Sequence, residues 1–511
     1  MISLYFQPGH FHNIFKKKYL KYVIIKAEDI MYHISDLKKF LRCELLYYHG
    51  KDEKNVFKPY LRSDENIMDL LKQYLGIVTC FEGVRNDGND HFFSNIDSYE
   101  WFIRPRFADG DMRINIPVMH KVESGFDLGF VYFGNAIKEL DTLTYRTSCD
   151  LLAKLGITVN DIYLIYFNED YVRGDDLDVQ QLFVCTNMYK NSRIMDIVNR
   201  SNFRYEDVVR LMDQYVYDGK RPEKNRNCRQ NGLCDYYGIC FPDEEKLFDD
   251  SILSLVSSQY KNDMYDEGIV HLKDADVERL EGSRVQYAQI MASKNDGMYV
   301  DKVALTHWLE KLSARPISFI DFEWDRYLVP PYPGMRPLDV LPFEFALYYI
   351  DEDNHMQHYT FVSKGDCRRE FIEALQKYLP DEGPVVAYNA YGAECLRLSE
   401  LADVFEEYRG YLEEVNSRFV DLAEPFTEGL VYDVSMRGNY SLKQIVDICS
   451  DYSYKNLDID DGMQAVFNWR DMDKSNGDEQ RIRDNLEQYC SLDAYGLFLA
   501  YKWLIKLTIE S

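Results

Sequence analysis

Apolar and polar positions along this chain repeat with two periods, and the switches between them outline its elements. Over residues 34–48 apolar side chains recur at helical spacing behind Ser35, a fair N-cap, which predicts one amphipathic helix carrying Cys43. Residues 114–119 and 128–133 read as strands joined by a turn around Glu123, Ser124 and Gly125. A helix is predicted over 142–155, stopped by Gly156, and a short apolar strand over 162–167. Residues 241–315 are highly charged and helical in pattern, closing with an amphipathic helix over 303–312 that carries Trp308. After Pro316 strands are predicted at 318–324 and 343–350, with 359–362 as a candidate third. A helix at 368–378, a buried strand at 385–389, a helix from about 395 to 402 and a strand at 418–422 follow. Ser441 opens another helix, and the last long helix is predicted over about 479–506.

With 511 residues the chain is too long for one ordinary core, and its 46% hydrophobic content suffices for two or three. No apolar run is long enough to span a bilayer, and residues 1–30 lack the core and cleavage site of a signal peptide. A cytoplasmic protein is expected, with Met31 as a candidate true start. Its eleven cysteines, an odd number without a secretion signal, argue against structural disulfides. The net charge of −27 opposes a polyanionic partner, and it is concentrated late. From Pro316 onward 18 Lys and Arg face 37 Asp and Glu.

That excess changes the picture at one stretch. In Ser-Phe-Ile-Asp-Phe-Glu-Trp, 318–324, strand alternation points Asp321 and Glu323 to the same side. Two like charges that close, at the end of an apolar run, are explained by a cation between them, where a half-exposed strand would leave them in water. On the last helix Tyr489 and Asp493 are four apart and share a face. Glu394 stands at a strand-to-helix junction, five residues after Asn389.

These elements, in this order, resemble the DEDDy branch of the DnaQ-like exonucleases, which have an RNase H-like fold. The first motif is matched by Asp321 and Glu323, the second by Asn389 and Glu394, and the third by Tyr489 and Asp493. Glu394 departs from the Asp usual there. The resemblance implies a 3′–5′ exonuclease acting on a single-stranded nucleic-acid end or short oligonucleotide. Asp321, Glu323, Glu394 and Asp493 would hold two Mg2+ or Mn2+ ions, with Tyr489 orienting the attacking water. Asp421 and Lys443 are nearby candidates for supporting roles.

Cys228, Cys234 and Cys240 are separated by five residues each in a Gly-containing loop, a ligand-like spacing, and Cys43 is the obvious fourth thiolate. Four thiolates suit zinc or an iron–sulfur cluster. Residues 31–240 resemble the RecB-type nucleases, including the CRISPR-associated ones, in which one early and three late cysteines hold a 4Fe–4S cluster. The PD-(D/E)XK acids of those enzymes are missing. Asn115 stands for the Asp, and Phe130 and Tyr132 replace the Glu and Lys. Asp127 and Glu139 are nearby acids at the wrong spacing. A catalytically dead scaffold is expected, with candidate nucleic-acid-gripping basic patches at 15–26 and 224–229.

The expected organisation is therefore an α/β multidomain chain. It comprises an extension, 1–30; a PD-(D/E)XK-like domain, 31–240; a helical connector, 241–315; and a DnaQ-type domain, 316–511. As a whole the chain resembles an uncharacterised bacterial family that joins a RecB-like half to a DnaQ-like half. A non-catalytic nucleic-acid-binding or assembly protein, with both halves degenerate, is the alternative.

Overall fold

The computed structural model describes residues 31–50, 60–216, 218, 221–223, 236–240, 248–452, 458–459, 461–474 and 478–509. The extension at 1–30, both basic patches, Cys228 and Cys234 lie outside these residues. The architecture is mixed α/β with several sheets.

In the N-terminal half the expected helix over 34–48 is two helices, α1 (Ile34–Arg42) and α2 (Glu44–Gly50). Cys43 separates them in extended conformation, φ −164° and ψ 119°, so it sits at a break and not within a helix. A six-stranded sheet follows, in spatial order β1 (Phe81–Glu82), β2 (Trp101–Ile103), β3 (Val118–Val122), β4 (Gly125–Tyr132), β5 (Val159–Phe167) and β6 (Phe183–Thr186). Strands β3 and β4 form an antiparallel hairpin. Helix α3 (Thr142–Lys154) then carries the chain to β5, parallel to β4. Leu128, Phe130, Ile162 and Leu164 on one face of this sheet pack with Tyr145, Leu151 and Leu152 of α3. The run expected as one strand over 114–119 is divided. Met112–Asn115 pairs with Arg106–Asp109 in a separate three-stranded sheet, and β3 begins only after Pro117, which has no N–H to give a ladder.

The C-terminal half is built on a five-stranded sheet of β7 (Ile317–Arg326), β8 (Val340–Ile350), β9 (Met356–Val362), β10 (Val385–Ala387) and β11 (Phe419–Asp421). Its spatial order is β9-β8-β7-β10-β11, with β7, β8 and β9 antiparallel and β10 and β11 parallel to β7. Alternation divides β7 between two cores. Ile320 and Phe322 pack against the helix side lined by Phe371 and Leu398. Ile317 and Phe319 face the opposite core, shared with Leu486, Tyr489 and Leu497 of the last helix. Asp321 and Glu323 continue this second row, so the same rule that buries the aromatics directs the two acids at that helix. The helices that matter below are α4 (Glu394–Val404), α5 (Leu442–Cys449), α6 (Gly462–Asp473) and α7 (Glu479–Ile509).

The segment expected as a helical connector contains a strand. Met298–Val300 pairs antiparallel with Val431–Asp433, and Ala288, Leu305 and Trp308 share the core of α7. The two halves also meet directly: Leu328 and Val329, just past β7, are buried among Leu70, Phe167 and Tyr171.

Candidate metal centre

Strand β7 and helix α7 bring three acids together from positions 170 residues apart in the chain. Carboxylate oxygens of Asp321, Glu323 and Asp493 lie within 4.8 Å of one another, the only such group of three or more His, Cys, Asp or Glu among the described residues. Burial, and then the Asp493 charge, hold both the Asp321 and Glu323 carboxyls well above the usual carboxylate range. Cys490, fully buried, donates its thiol to the Asp321 Oδ2 at 3.5 Å and backbone oxygen at 3.4 Å.

Glu394 stands outside that group but acts on Asp321 and Glu323 electrostatically. It is the first residue of α4 and only 3% exposed, and its Oε2 has no hydrogen-bond partner. Burial pushes its carboxyl up to about 8. The chain reverses before it at Asn389, φ 59°, whose N–H donates to Asp421 Oδ1 at 2.7 Å. The same oxygen accepts from Ala423 N at 2.9 Å. Asp421 is therefore a brace for the loop that delivers Glu394, and its own position is set by backbone donors.

Tyr489 is 3% exposed on α7 and is hydrogen-bonded to Asp493. Burial, then Asp493, Glu323 and Asp321, keep its phenol protonated. Lys443 of α5 places its ammonium 5.0 Å from the Tyr489 ring centroid and attracts Glu323. Opposite, Gly462 opens α6 so close to the acids that an added Cβ would stand 3.7 Å from both Glu323 oxygens and 4.0 Å from the Tyr489 hydroxyl.

Two features were missed in the sequence pattern. Glu344 on β8 is directly opposite Glu323, fully buried, with neither carboxylate oxygen hydrogen-bonded. Its signal is a lone acid inside the apolar run Leu341-Pro-Phe-Glu344-Phe-Ala-Leu347. Asp325, fully buried two residues past Glu323, accepts two bonds from Arg470 of α6, at 2.9 and 2.6 Å. Arg62 from the N-terminal half lies 3.6 Å from Asp325 Oδ2 and donates to Asp473 at 2.6 Å. Asp325, a buried acid paired with arginine, is structural; Asp321 and Glu323 are half-buried and have no arginine partner among the described residues, and Glu394 is buried with one oxygen unpaired. The donor set is all oxygen, the chemistry of hard divalent ions such as Mg2+ and Mn2+.

The expected thiolate site is described in part. Cys43 and Cys240 are reduced and half-buried. Helix α2, which follows Cys43, packs on the segment leading to Cys240 through His49 and Tyr236, ring centroids 5.5 Å apart. In the nuclease-like half, Phe130 is buried against Tyr145 of α3, centroids 4.7 Å apart, where the resemblance would need a carboxylate. Asn115 ends a strand of the other sheet. Asp127 accepts from Asn160 at 2.7 Å, on the face of β4 opposite Phe130, and Glu139 sits exposed in the following loop. Among the described residues no acid cluster replaces the missing one.

Residues 318–441 match a family described as a domain of unknown function, DUF2779. No curated protein matches. A solved family B DNA polymerase from the hyperthermophilic archaeon Pyrobaculum calidifontis is similar over 37% of this chain and 24% of its own, at 16% identity and a TM-score of 0.25. The similarity thus spans about a quarter of that polymerase's length. Among the described residues no helix is long and apolar enough to cross a membrane.

Proposed function

We propose that the C-terminal half is a metal-dependent 3′–5′ exonuclease that hydrolyses phosphodiester bonds of DNA or RNA. The observation that carries this reading is the convergence of Asp321, Glu323 and Asp493 to within 4.8 Å, with Tyr489 hydrogen-bonded beside them. The strand order β9-β8-β7-β10-β11, with the first acids on its central strand, supports an RNase H-like fold of the DnaQ type. The direction of hydrolysis and the choice of end rest on the motif resemblance alone.

Asp321, Glu323, Asp493 and Glu394 would hold two Mg2+ or Mn2+ ions. Bound there, such ions supply an activated water and neutralise charge on the leaving 3′ oxygen. The chain's own groups then set the geometry. Tyr489, kept protonated by burial and three acids and hydrogen-bonded to Asp493, would orient the attacking water. Lys443 offsets charge beside Glu323, which matters in a half where acids outnumber bases two to one. The glycine that opens α6, Gly462, lets the backbone approach Glu323 closely, with no side chain between them.

The N-terminal half is proposed as a nuclease-like scaffold, with Phe130 filling its former acid position. The test is digestion of end-labelled single-stranded DNA and RNA by purified protein with Mn2+ or Mg2+. Shortening from the 3′ end, lost in Asp321→Ala, is expected. Absence of digestion by the wild type, or equal digestion by the variant, leaves a non-catalytic binding or assembly protein as the reading.

A further inference from the structure

The six-stranded sheet has a second face, and part of it lines an open cavity among the described residues. Val131, Ile165 and Phe167 at one end are packed under Leu70, Leu71 and Leu328. At the other end Trp101, His120, Asp127 and Tyr163 line an open cavity of about 220 Å³, walled by Leu75. That is smaller than the roughly 300–1,000 Å³ of pockets for drug-sized ligands, so it fits one side chain or one ring. Trp101 and His120 lie flat on each other, ring centroids 4.0 Å apart and 16° from parallel, forming an aromatic shelf. Asp127 has one oxygen engaged by Asn160 at 2.7 Å; its other oxygen and the Tyr163 hydroxyl have no protein partner among the described residues.

Charge around the cavity chooses between occupants. An adjoining groove of about 660 Å³ shares Trp101 and is lined by Asp97, Glu100 and Glu123 against a single cation, Lys121. That lysine is already held by Asp97 at 3.0 Å. Arg193, near Tyr163, is likewise taken by Asp161 at 2.6 Å. A nucleotide would stack on the shelf but bring its phosphate against uncompensated acids. An arginine side chain meets every feature: a flat guanidinium for the shelf, fork-like donors for Asp127, and positive charge for the rim.

We propose that this cavity docks an arginine from a basic segment of a partner protein. The guanidinium lies on the Trp101–His120 shelf and donates to Asp127, and neighbouring basic residues run along the groove past Glu100 and Glu123.

The test is fluorescence anisotropy of a labelled Gly-Lys-Arg-Lys-Gly peptide with the full chain. Saturable binding is expected, at least about tenfold weaker for the Gly-Lys-Lys-Lys-Gly peptide and for Asp127→Asn or His120→Ala. Asp207→Asn, which removes an exposed acid elsewhere, should leave affinity unchanged, and circular dichroism shows that each variant is folded. If one pocket variant fails to fold, Tyr163→Phe replaces it. Equal affinity for the lysine peptide, no effect of Asp127→Asn, or displacement of the peptide by a single-stranded oligonucleotide or nucleoside monophosphate overturns the proposal.

Discussion

At the scale of single residues, the cluster of Asp321, Glu323 and Asp493 is a place where like charges are forced together, and that has consequences without any substrate. Glu394 carries a carboxyl raised to about 8 by burial, and Asp321 and Glu323 are raised in the same direction by burial and by Asp493. The sign follows from proton binding: the native state keeps protons that the unfolded chain has already released. Stability of the metal-free protein should therefore be fullest below pH about 4.5, the ordinary Glu value, and fall as pH rises toward 8. Thermal melts in chelator from pH 4.5 to 8.5 check this, and Glu394→Gln should flatten the slope. Mn2+ should raise the melting temperature more at pH 8 than at pH 5, because it binds the deprotonated acids of the native state. For activity, Tyr489→Phe keeps the ring under Lys443 and removes only the hydroxyl. A fall of roughly 10²–10³ in kcat with little change in KM is expected from steady-state digestion kinetics.

Element by element, the parts that follow one period over many residues were legible in advance. The helix at Arg368–Tyr378 is where the pattern puts it, and the strand around Asp321 extends by only a few residues at each end, to Ile317–Arg326. What the pattern could not carry are features decided by contacts between distant segments. The strand Met298–Val300 is three residues long and exists because Val431–Asp433 pairs with it. Glu344 reads as an interruption in an apolar strand until β7 supplies Glu323 opposite it. The register of that pair also shifts between Glu323 and Trp324, so that Phe343 and Glu344 are consecutive yet Phe343 stacks on Trp469 of α6, centroids 4.5 Å apart. This seats α6 with Gly462 over the acids. Gly462→Leu should then fill the space beside Glu323 and abolish digestion, while thermal melts show a folded protein; Gly462→Ala, with its Cβ at ordinary contact distance, should be mild. The split of α1 and α2 at Cys43 is likewise invisible to a helical count, since apolar spacing continues across the break.

At the scale of the whole molecule, the halves are joined where the acid-bearing strand leaves its sheet. Arg62 N donates to Arg326 O at 2.8 Å and Leu328 N to Arg62 O at 2.7 Å, a parallel bridge that continues β7 into the N-terminal half. The Arg62 guanidinium is 6% exposed and stands among Asp325, Asp473 and Asp64. Arg62→Ala removes one of the two cations serving fully buried Asp325 and should cost about 3 kcal/mol in denaturant unfolding. It should also lower the proposed nuclease activity, since Asp325 lies two residues from Glu323. Leu328→Asp, which places a charge in the cluster of Leu70, Phe167 and Tyr171, should lower the midpoint of both halves in one transition. The same bridge bears on any attempt to transplant the C-terminal half. A shortened version beginning at Pro316 would retain every acid of the centre but lose the paired strand Met298–Val300 and the core side chains Leu305 and Trp308, and leave Asp325 with half its counter-charge. Residues 60–64 must travel with it, grafted as a short companion strand, or Asp325 must be recast as a neutral residue together with Arg470. By that criterion the smallest portable unit is defined by where its buried charges are balanced, and its outline is discontinuous in sequence.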